Sequence, residues 1–344
     1  MPARAVTRRR ALALGGAAAA AWLLPGGAGA QSRPKRFGVV DCHAHWHPDI
    51  YVQAMRELDR PIRTVPDNVD LKLRLQHMDR QGVQVHILTI LTPAIQWAPP
   101  EIGARLARLI NDAAIAAHQA YPDRFYAGVA MPIQAPDLAL IELNRVAGKP
   151  GICCVHLPTS NDGKDYLFQP NFEPIFARAE ALGYPLVFHP IGKVAGEDRL
   201  AGEAFLTNTV GFPFEHTITA ARFITSGMLD KYPTLEVVLY HGGGAFPYIA
   251  PRIEYGLMKR NIKLPHPFGD YVRRFHYDAI TYSAASLRFL INTVGSDRVM
   301  IGTDNYAFMD IDEPTALVDA LKLKPVDRSR ILTDNAVRLF RLHA

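Results

Sequence analysis

Histidine and aspartate side chains follow short apolar runs at several points along the sequence. The segment DCHAHWHP places His43 and His45 two residues apart. Residues two apart in an extended chain point to the same side, so both imidazoles can reach one metal ion. His189, His241 and Asp304 stand at the ends of three later apolar runs. Three imidazoles and a carboxylate form a site suited to zinc or a similar divalent ion, with one position left for water.

Other polar residues near these runs have two interpretations. His47 falls on the same side as His43 and His45, but its place before Pro48 favours a loop histidine or a partner of a ligand. His156, one residue before the end of the fourth run, is equally compatible with a structural role and with lining a substrate pocket. The glycines at 242–244 lack the Lys-Ser/Thr of a phosphate-binding loop, so they predict close approach of the backbone to substrate or metal.

The elements that position these residues are short, continuous apolar runs, each followed by a helical pattern. Such runs are typical of strands buried in a parallel sheet. The runs are 37–42, 83–90, 126–131, 151–157, 185–189, 235–241, 276–282 and 298–304.

Eight strands that alternate with helices predict one α/β domain, a (β/α)8 TIM barrel over residues 36–342. No G-x-G-x-x-G turn follows the first strand, which argues against a doubly wound dinucleotide fold. Asn68 is a predicted N-cap, and segments 51–67 and 192–214 are predicted loops over the barrel mouth. Active sites of such barrels lie at the C-terminal ends of the strands, where the histidines and Asp304 fall.

Residues 1–30 resemble a cleavable twin-arginine export signal. Arg8, Arg9 and Arg10 precede a stretch of alanine, glycine and leucine that ends in Ala-Gly-Ala. Glycines and a proline interrupt that stretch, which argues against a stable membrane anchor. The sequence therefore predicts the twin-arginine export machinery as a partner, and a mature, periplasmic bacterial protein that begins near Gln31.

The charge of the chain does not indicate a nucleic-acid partner. The formal net charge is +5, but the first thirty residues hold four arginines and no acidic residue, so the rest carries +1.

The three cysteines, Cys42, Cys153 and Cys154, are an odd set with an adjacent pair, which argues against a disulfide framework.

Several longer segments carry a family resemblance. They are DCHAHWHP at 41–48, FYAGVAMPIQAPDLA at 125–139, FEPIFARAEALGYPLVFHP at 172–190, KYPTLEVVLYHGGGAFPYIAPRIE at 231–254 and RVMIGTDNYAF at 298–308. This ordered set resembles the amidohydrolase superfamily, within it the branch of aminocarboxymuconate-semialdehyde decarboxylase and related carboxy-lyases.

The resemblance implies a role for each matching residue. His43, His45, His189 and Asp304 correspond to the ligands of one divalent ion, expected to be zinc, with manganese as the alternative. His241 corresponds to the acid/base histidine beside the metal-bound water. Binuclear relatives have a carbamylated lysine at the end of strand four, where this chain reads CCVHL, so a mononuclear site is expected.

The resemblance also implies a small-molecule carboxylate substrate and a homodimer. An arginine that binds the substrate carboxylate is expected in the loop after strand one, where Arg56, Arg60 and Arg63 are candidates. We take Arg63 as the predicted substrate-binding residue, together with His156.

Three functions remain compatible with the sequence. The first is a metal-dependent carboxy-lyase acting on a small aromatic or unsaturated carboxylic acid. The second is a metal-dependent hydrolase of a lactone, ester or amide, in which Asp304 or His241 moves the proton. The third is a periplasmic metal-binding or solute-binding protein without catalysis, which the presence of His241 disfavours.

Overall fold

The computed structural model describes residues 37–91, 94–202 and 204–343. Within them, eight parallel strands pair in sequence order, each with the next. The strands are β1 Val39–His45, β2 Val83–Thr89, β3 Phe125–Val129, β4 Ile152–Pro158, β5 Leu186–His189, β6 Val237–Leu239, β7 Phe275–Asp278 and β8 Val299–Met300.

Hydrogen bonds between the first and last strands close the barrel. The amide of Cys42 in β1 donates to the carbonyl of Ile301, just after β8, over 2.9 Å. Ala44 and Asn305 form a further parallel bridge beyond that point. The predicted (β/α)8 barrel is therefore confirmed.

Helices follow most strands and vary widely in length. They are α1 Asp49–Glu57, α2 Pro66–Val69, α3 Leu71–Gln81, α4 Pro100–Ala120, α5 Pro136–Val146, α6 Glu173–Leu182, α7 Glu197–Leu200, α8 Phe212–Thr225, α9 Met228–Lys231, α10 Phe246–Lys259, α11 Phe268–Val272, α12 Ala284–Val294, α13 Ala316–Ala320, α14 Pro325–Ser329 and α15 Asn335–Leu339. Single π turns at Thr207–Gly211 and Arg330–Asp334 lead into α8 and α15.

Side chains that alternate along the strands build two apolar layers. Val187 belongs to the cluster inside the barrel, while its neighbour Phe188 belongs to the cluster between strands and helices. The same alternation separates Val238 from Leu239 in β6. Each strand is buried on both faces, which explains why its sequence is continuously apolar.

Several predicted boundaries were wrong. Segment 51–67 is not only a loop, because α1 occupies its first part and buries Tyr51 and Met55, and α2 begins at Pro66. Asn68 lies within α2, and the N-cap of α3 is Asp70, whose carboxylate accepts from the amides of Lys72 and Leu73. Segment 192–214 contains α7 and a π turn rather than only a loop.

All three cysteines are buried free thiols, so the chain has no disulfide.

Within the described ranges, no helix combines the length and apolar character needed to cross a bilayer. The predicted export signal at 1–30 lies outside the described residues.

The aromatic cluster around Phe223 gives a test of the outer core. Phe223 is fully buried, with ring centroids 5.2 to 5.6 Å from those of Phe168, Phe176 and Phe188. We expect Phe223→Ala to lower the free energy of unfolding by about 3–5 kcal/mol, since it removes buried surface and leaves a cavity. Phe214→Ala on the same helix is the control, because Phe214 is 51% exposed and its loss should cost about 0.5 kcal/mol or less. Equal losses in urea unfolding would contradict this assignment of the core.

Candidate active site

Strand β1 delivers two buried imidazoles to the C-terminal end of the barrel. Nε2 of His43 and Nε2 of His45 lie 3.2 Å apart. Nδ1–H of His43 donates to Oδ2 of Asp278 over 2.7 Å, and Nδ1 of His45 lies 3.1 Å from Oγ1 of Thr89. These partners at Nδ1 hold both rings so that each Nε2 lone pair faces the same point.

His189 at the end of β5 and Asp304 after β8 complete this group. Nε2 of His45 is 3.2 Å from Nε2 of His189 and 2.8 Å from Oδ1 of Asp304. Oδ1 of Asp304 lies 3.1 Å from Nε2 of His43 and 3.7 Å from Nε2 of His189. Ligands about 2.1 Å from a tetrahedral ion stand about 3.4 Å apart, so these spacings fit one ion at the centre.

Electrostatics favours a positive charge in this group. Burial lowers the pKa of His45 to about 4 and the pKa of His189 well below its ordinary value. Burial also opposes protonation of His43, but the carboxylates of Asp304 and Asp278 outweigh it and raise the pKa of His43 to about 9. A proton on His43 is one way to offset the carboxylates, and a divalent cation is a stronger one.

His241 stands beside the four converging atoms. Its Nε2 is 3.5 Å from Oδ2 of Asp304, and His43, His189, His241 and Asp304 offer ligand atoms within 4.8 Å of one another. Nδ1 of His241 lies 3.2 Å from Nε2 of His216, a fully buried residue of α8. His216 thereby fixes the ring of His241 so that Nε2 faces Asp304.

The backbone at both residues is left-handed, with φ of 54° at His241 and 59° at Asp304. Non-glycine residues adopt this region rarely, and such strain concentrates at functional sites. The amide of Asp304 donates to the carbonyl of His43 over 2.8 Å, and the amide of His241 donates to Oδ2 of Asp278 over 3.0 Å. These bonds hold the two turns against β1 and β7.

The glycines after His241 allow close packing against neighbouring elements. A Cβ on Gly244 would lie 1.8 Å from the carbonyl oxygen of Pro213, and one on Gly243 would lie 2.6 Å from the ring of Tyr277. Both have positive φ. At these two positions the backbone closely approaches α8 and β7, and the predicted approach to substrate or metal stays a prediction.

Sequence reasoning missed three residues that support the site. Asp278 ends β7 and accepts from His43, from the amide of His241 and from the amide of Gly242. Its place at a strand end was the signal that could have found it. His216 and Arg74 lie inside helices without such a signal. The guanidinium of Arg74 is fully buried and donates to the carbonyl of His45 over 2.6 Å.

The remaining predicted residues lie outside the converging group. His47 is buried, and its Nδ1 accepts from the side-chain Nδ2 of Asn68 over 3.2 Å. His156 is buried 6.4 Å from His189, measured between ring centroids. Arg63 is exposed in the segment after α1, and Arg60 stacks over the ring of Trp97 at 4.2 Å.

His241 and Asp304 form part of the wall of a cavity of about 610 Å³. This cavity lies between the loops that follow β6, β7 and β8 and includes residues of α8, α10 and α12. Arg63 and His156 do not line it, so the structure does not place either predicted substrate-binding residue there. A substrate in this cavity would meet the site from the side of His241.

Known proteins resemble this chain in sequence and in fold. The amidohydrolase family model matches residues 40–342. The gamma-resorcylate decarboxylase of Rhizobium sp. (strain MTP-10005) is 32% identical over 78% of this chain and 86% of its own length. The 2-amino-3-carboxymuconate-6-semialdehyde decarboxylase of Dictyostelium discoideum is 28% identical over 79% of this chain and 77% of its own length.

A solved structure carries the same architecture. The dihydroxybenzoic acid decarboxylase of Polaromonas sp. JS666, with bound manganese and the inhibitor 2-nitroresorcinol, superposes with a TM-score of 0.76 at 26% identity. The match covers 89% of this chain and 97% of that one. Family model, relatives and fold agree with the resemblance seen in the motifs, and the chain belongs to the amidohydrolase family.

Proposed function

We propose that this protein is a metal-dependent carboxy-lyase that removes carbon dioxide from an aromatic carboxylic acid. The observation that carries the proposal is the convergence of three imidazoles and one carboxylate next to His241, in a chain whose relatives are named decarboxylases. The same residue set also suits hydrolysis of a lactone, ester or amide, and the assay below separates the two reactions.

His43, His45, His189 and Asp304 would hold the metal ion. Their Nε2 and Oδ1 atoms converge, and hydrogen bonds behind His43 and His45 fix the ring orientations. A divalent ion supplies a Lewis acid that binds and polarises substrate oxygens. The manganese in the Polaromonas relative supports Mn²⁺ as the first expectation rather than the zinc predicted from the sequence. Mixed imidazole and carboxylate ligands are compatible with either ion.

The side chains around the ion would supply the proton that the ring carbon needs. Decarboxylation breaks the bond between the ring carbon and the carboxyl carbon, the electron pair stays on the ring, and a proton takes the place of carbon dioxide. Nε2 of His241 and Oδ2 of Asp304, 3.5 Å apart, are two titratable atoms at the cavity wall. His216 orients the ring of His241, which holds Nε2 toward the cavity and Asp304.

The proposal is tested by incubating metal-loaded protein with hydroxylated benzoic acids and, separately, with lactones. We expect carbon dioxide from the acids in the wild type. His241→Asn should retain the metal and lower kcat by about 10²–10⁴-fold, because a positioned proton donor or acceptor is lost. Carbon dioxide release and metal content are measured on the same samples.

His266→Asn is the matched control, since the side chain of His266 is 64% exposed and far from the metal ligands in sequence. The kcat of this variant should equal that of the wild type. Opening of the lactones without release of carbon dioxide from any acid would assign the protein to the hydrolases. Unchanged turnover in His241→Asn with full metal would remove His241 from the mechanism.

The ligand assignment predicts one tightly bound divalent ion per chain. A His43→Ala, His45→Ala double variant should lose at least about nine-tenths of the bound metal, because two of four ligands are absent. His266→Ala should keep the wild-type content. Elemental analysis after dialysis measures this, and two ions per chain or full metal in the double variant would refute the assignment.

We also propose that the mature protein is exported. The three arginines at 8–10 and the uncharged stretch to residue 30 support this proposal. An Arg8→Lys, Arg9→Lys, Arg10→Lys variant should remain in the cytoplasm, because either adjacent pair can serve as the twin arginine and all three must change. Fractionation of cells measures the location, and normal processing of the variant would indicate another export route.

A further inference from the structure

The cavity beside His241 is much larger than one benzene ring requires. Its volume is about 610 Å³. An apolar cavity of about 150 Å³ already accommodates benzene, and pockets for drug-sized ligands measure about 300–1,000 Å³. A single-ring acid held at the metal would therefore leave most of this space to water.

The walls of the cavity are predominantly apolar. Phe212 of α8, Ile280 after β7, and Phe289 and Leu290 of α12 contribute aromatic or aliphatic surface. The polar side chains among the lining residues are mostly neutral, such as Thr281 and Ser286. Water in such a space makes few hydrogen bonds, so its displacement by an apolar group favours binding.

Aromatic side chains continue this apolar surface toward solvent. Tyr248 and Phe289 line the cavity with ring centroids 6.0 Å apart, yet they are 75% and 43% exposed. Tyr282 lines it as well and is 51% exposed. Clustered exposed aromatic residues next to a cavity are typical of a ligand-binding groove rather than of ordinary surface.

Positive charge is lacking on these walls. Among the described residues, no lysine or arginine lines the cavity, and Asp304 is negatively charged. A second carboxylate on the substrate would lose its hydration without gaining an ion pair. These walls therefore favour an uncharged group over a second carboxylate.

We propose that the substrate is an aromatic monocarboxylic acid with a bulky apolar substituent, an alkyl chain or a second ring, on the side of the ring opposite the carboxylate. This inference rests on the proposed carboxy-lyase function for the position of the carboxylate. The substituent points away from the metal ligands, past His241, and contacts Phe212, Ile280 and Phe289.

Three acids that differ only in the substituent opposite the carboxylate test the inference. They are 2,6-dihydroxybenzoic acids with a methyl, a pentyl or a carboxylate group at position 4. With the metal-loaded protein we expect kcat/KM and binding affinity at least about tenfold higher for pentyl than for methyl, since each buried methylene adds to binding. The 4-carboxylate should bind at least about tenfold more weakly than methyl.

A variant that fills the cavity tests whether the preference for the pentyl substituent arises there. Ala285 lines the cavity on α12 and is exposed, so Ala285→Phe adds volume there without disturbing the core. It should lower the pentyl-to-methyl ratio at least about fivefold. Asn292→Phe is the matched control, because Asn292 is exposed on the same helix and is not a lining residue. It should leave the ratio unchanged.

The outcomes separate this inference from the proposed function. Carbon dioxide release without preference for pentyl, or with preference for the 4-carboxylate, would overturn the substrate class and leave the carboxy-lyase intact. If no acid releases carbon dioxide, the carboxy-lyase proposal fails, and calorimetric affinities for the three acids still decide the inference. An unchanged ratio in Ala285→Phe would also overturn it, because the substituent would then lie elsewhere.

Discussion

Four nitrogen and oxygen atoms converge around a single point at the C-terminal end of this barrel. Nε2 of His45 lies 2.8 to 3.2 Å from the facing atoms of His43, His189 and Asp304, and all four residues are almost completely buried. At such distances in a low-dielectric site, a shared proton or a bound cation lowers the repulsion between the lone pairs. The rest of the site depends on this close approach.

The barrel supports this arrangement from behind the ligands. Asp278 receives hydrogen bonds from the ring of His43 and from the amides of His241 and Gly242, so one carboxylate links β1 to the turn after β6. Asp41 accepts from the amides of His43 and Thr303 and links β1 to β8. These bonds fix the positions of His43, His241 and the turn before Asp304 without relying on the long loops.

The two sides of the barrel mouth differ in how much space they leave beside the histidines. On one side His156 is buried, and its Nε2 has no hydrogen-bond partner. On the other side the turns after β6 and β8 present His241 and Asp304 in left-handed conformations to an apolar cavity. The strained turns place Nε2 of His241 and the carboxylate of Asp304 at the wall of this cavity.

The sequence by itself determined the eight strands, their order and the group of His43, His45, His189 and Asp304, because buried parallel strands have continuous apolar runs and end at the active face. Strand ends were less well determined, since β8 is only two residues long and residues 301–304 of its predicted run lack regular strand pairing. Tertiary structure alone decided the roles of His216 and Asp278, which act through partners distant in sequence. It also decided that Arg63 lies apart from the cavity, because loop paths follow packing and not local residue preference.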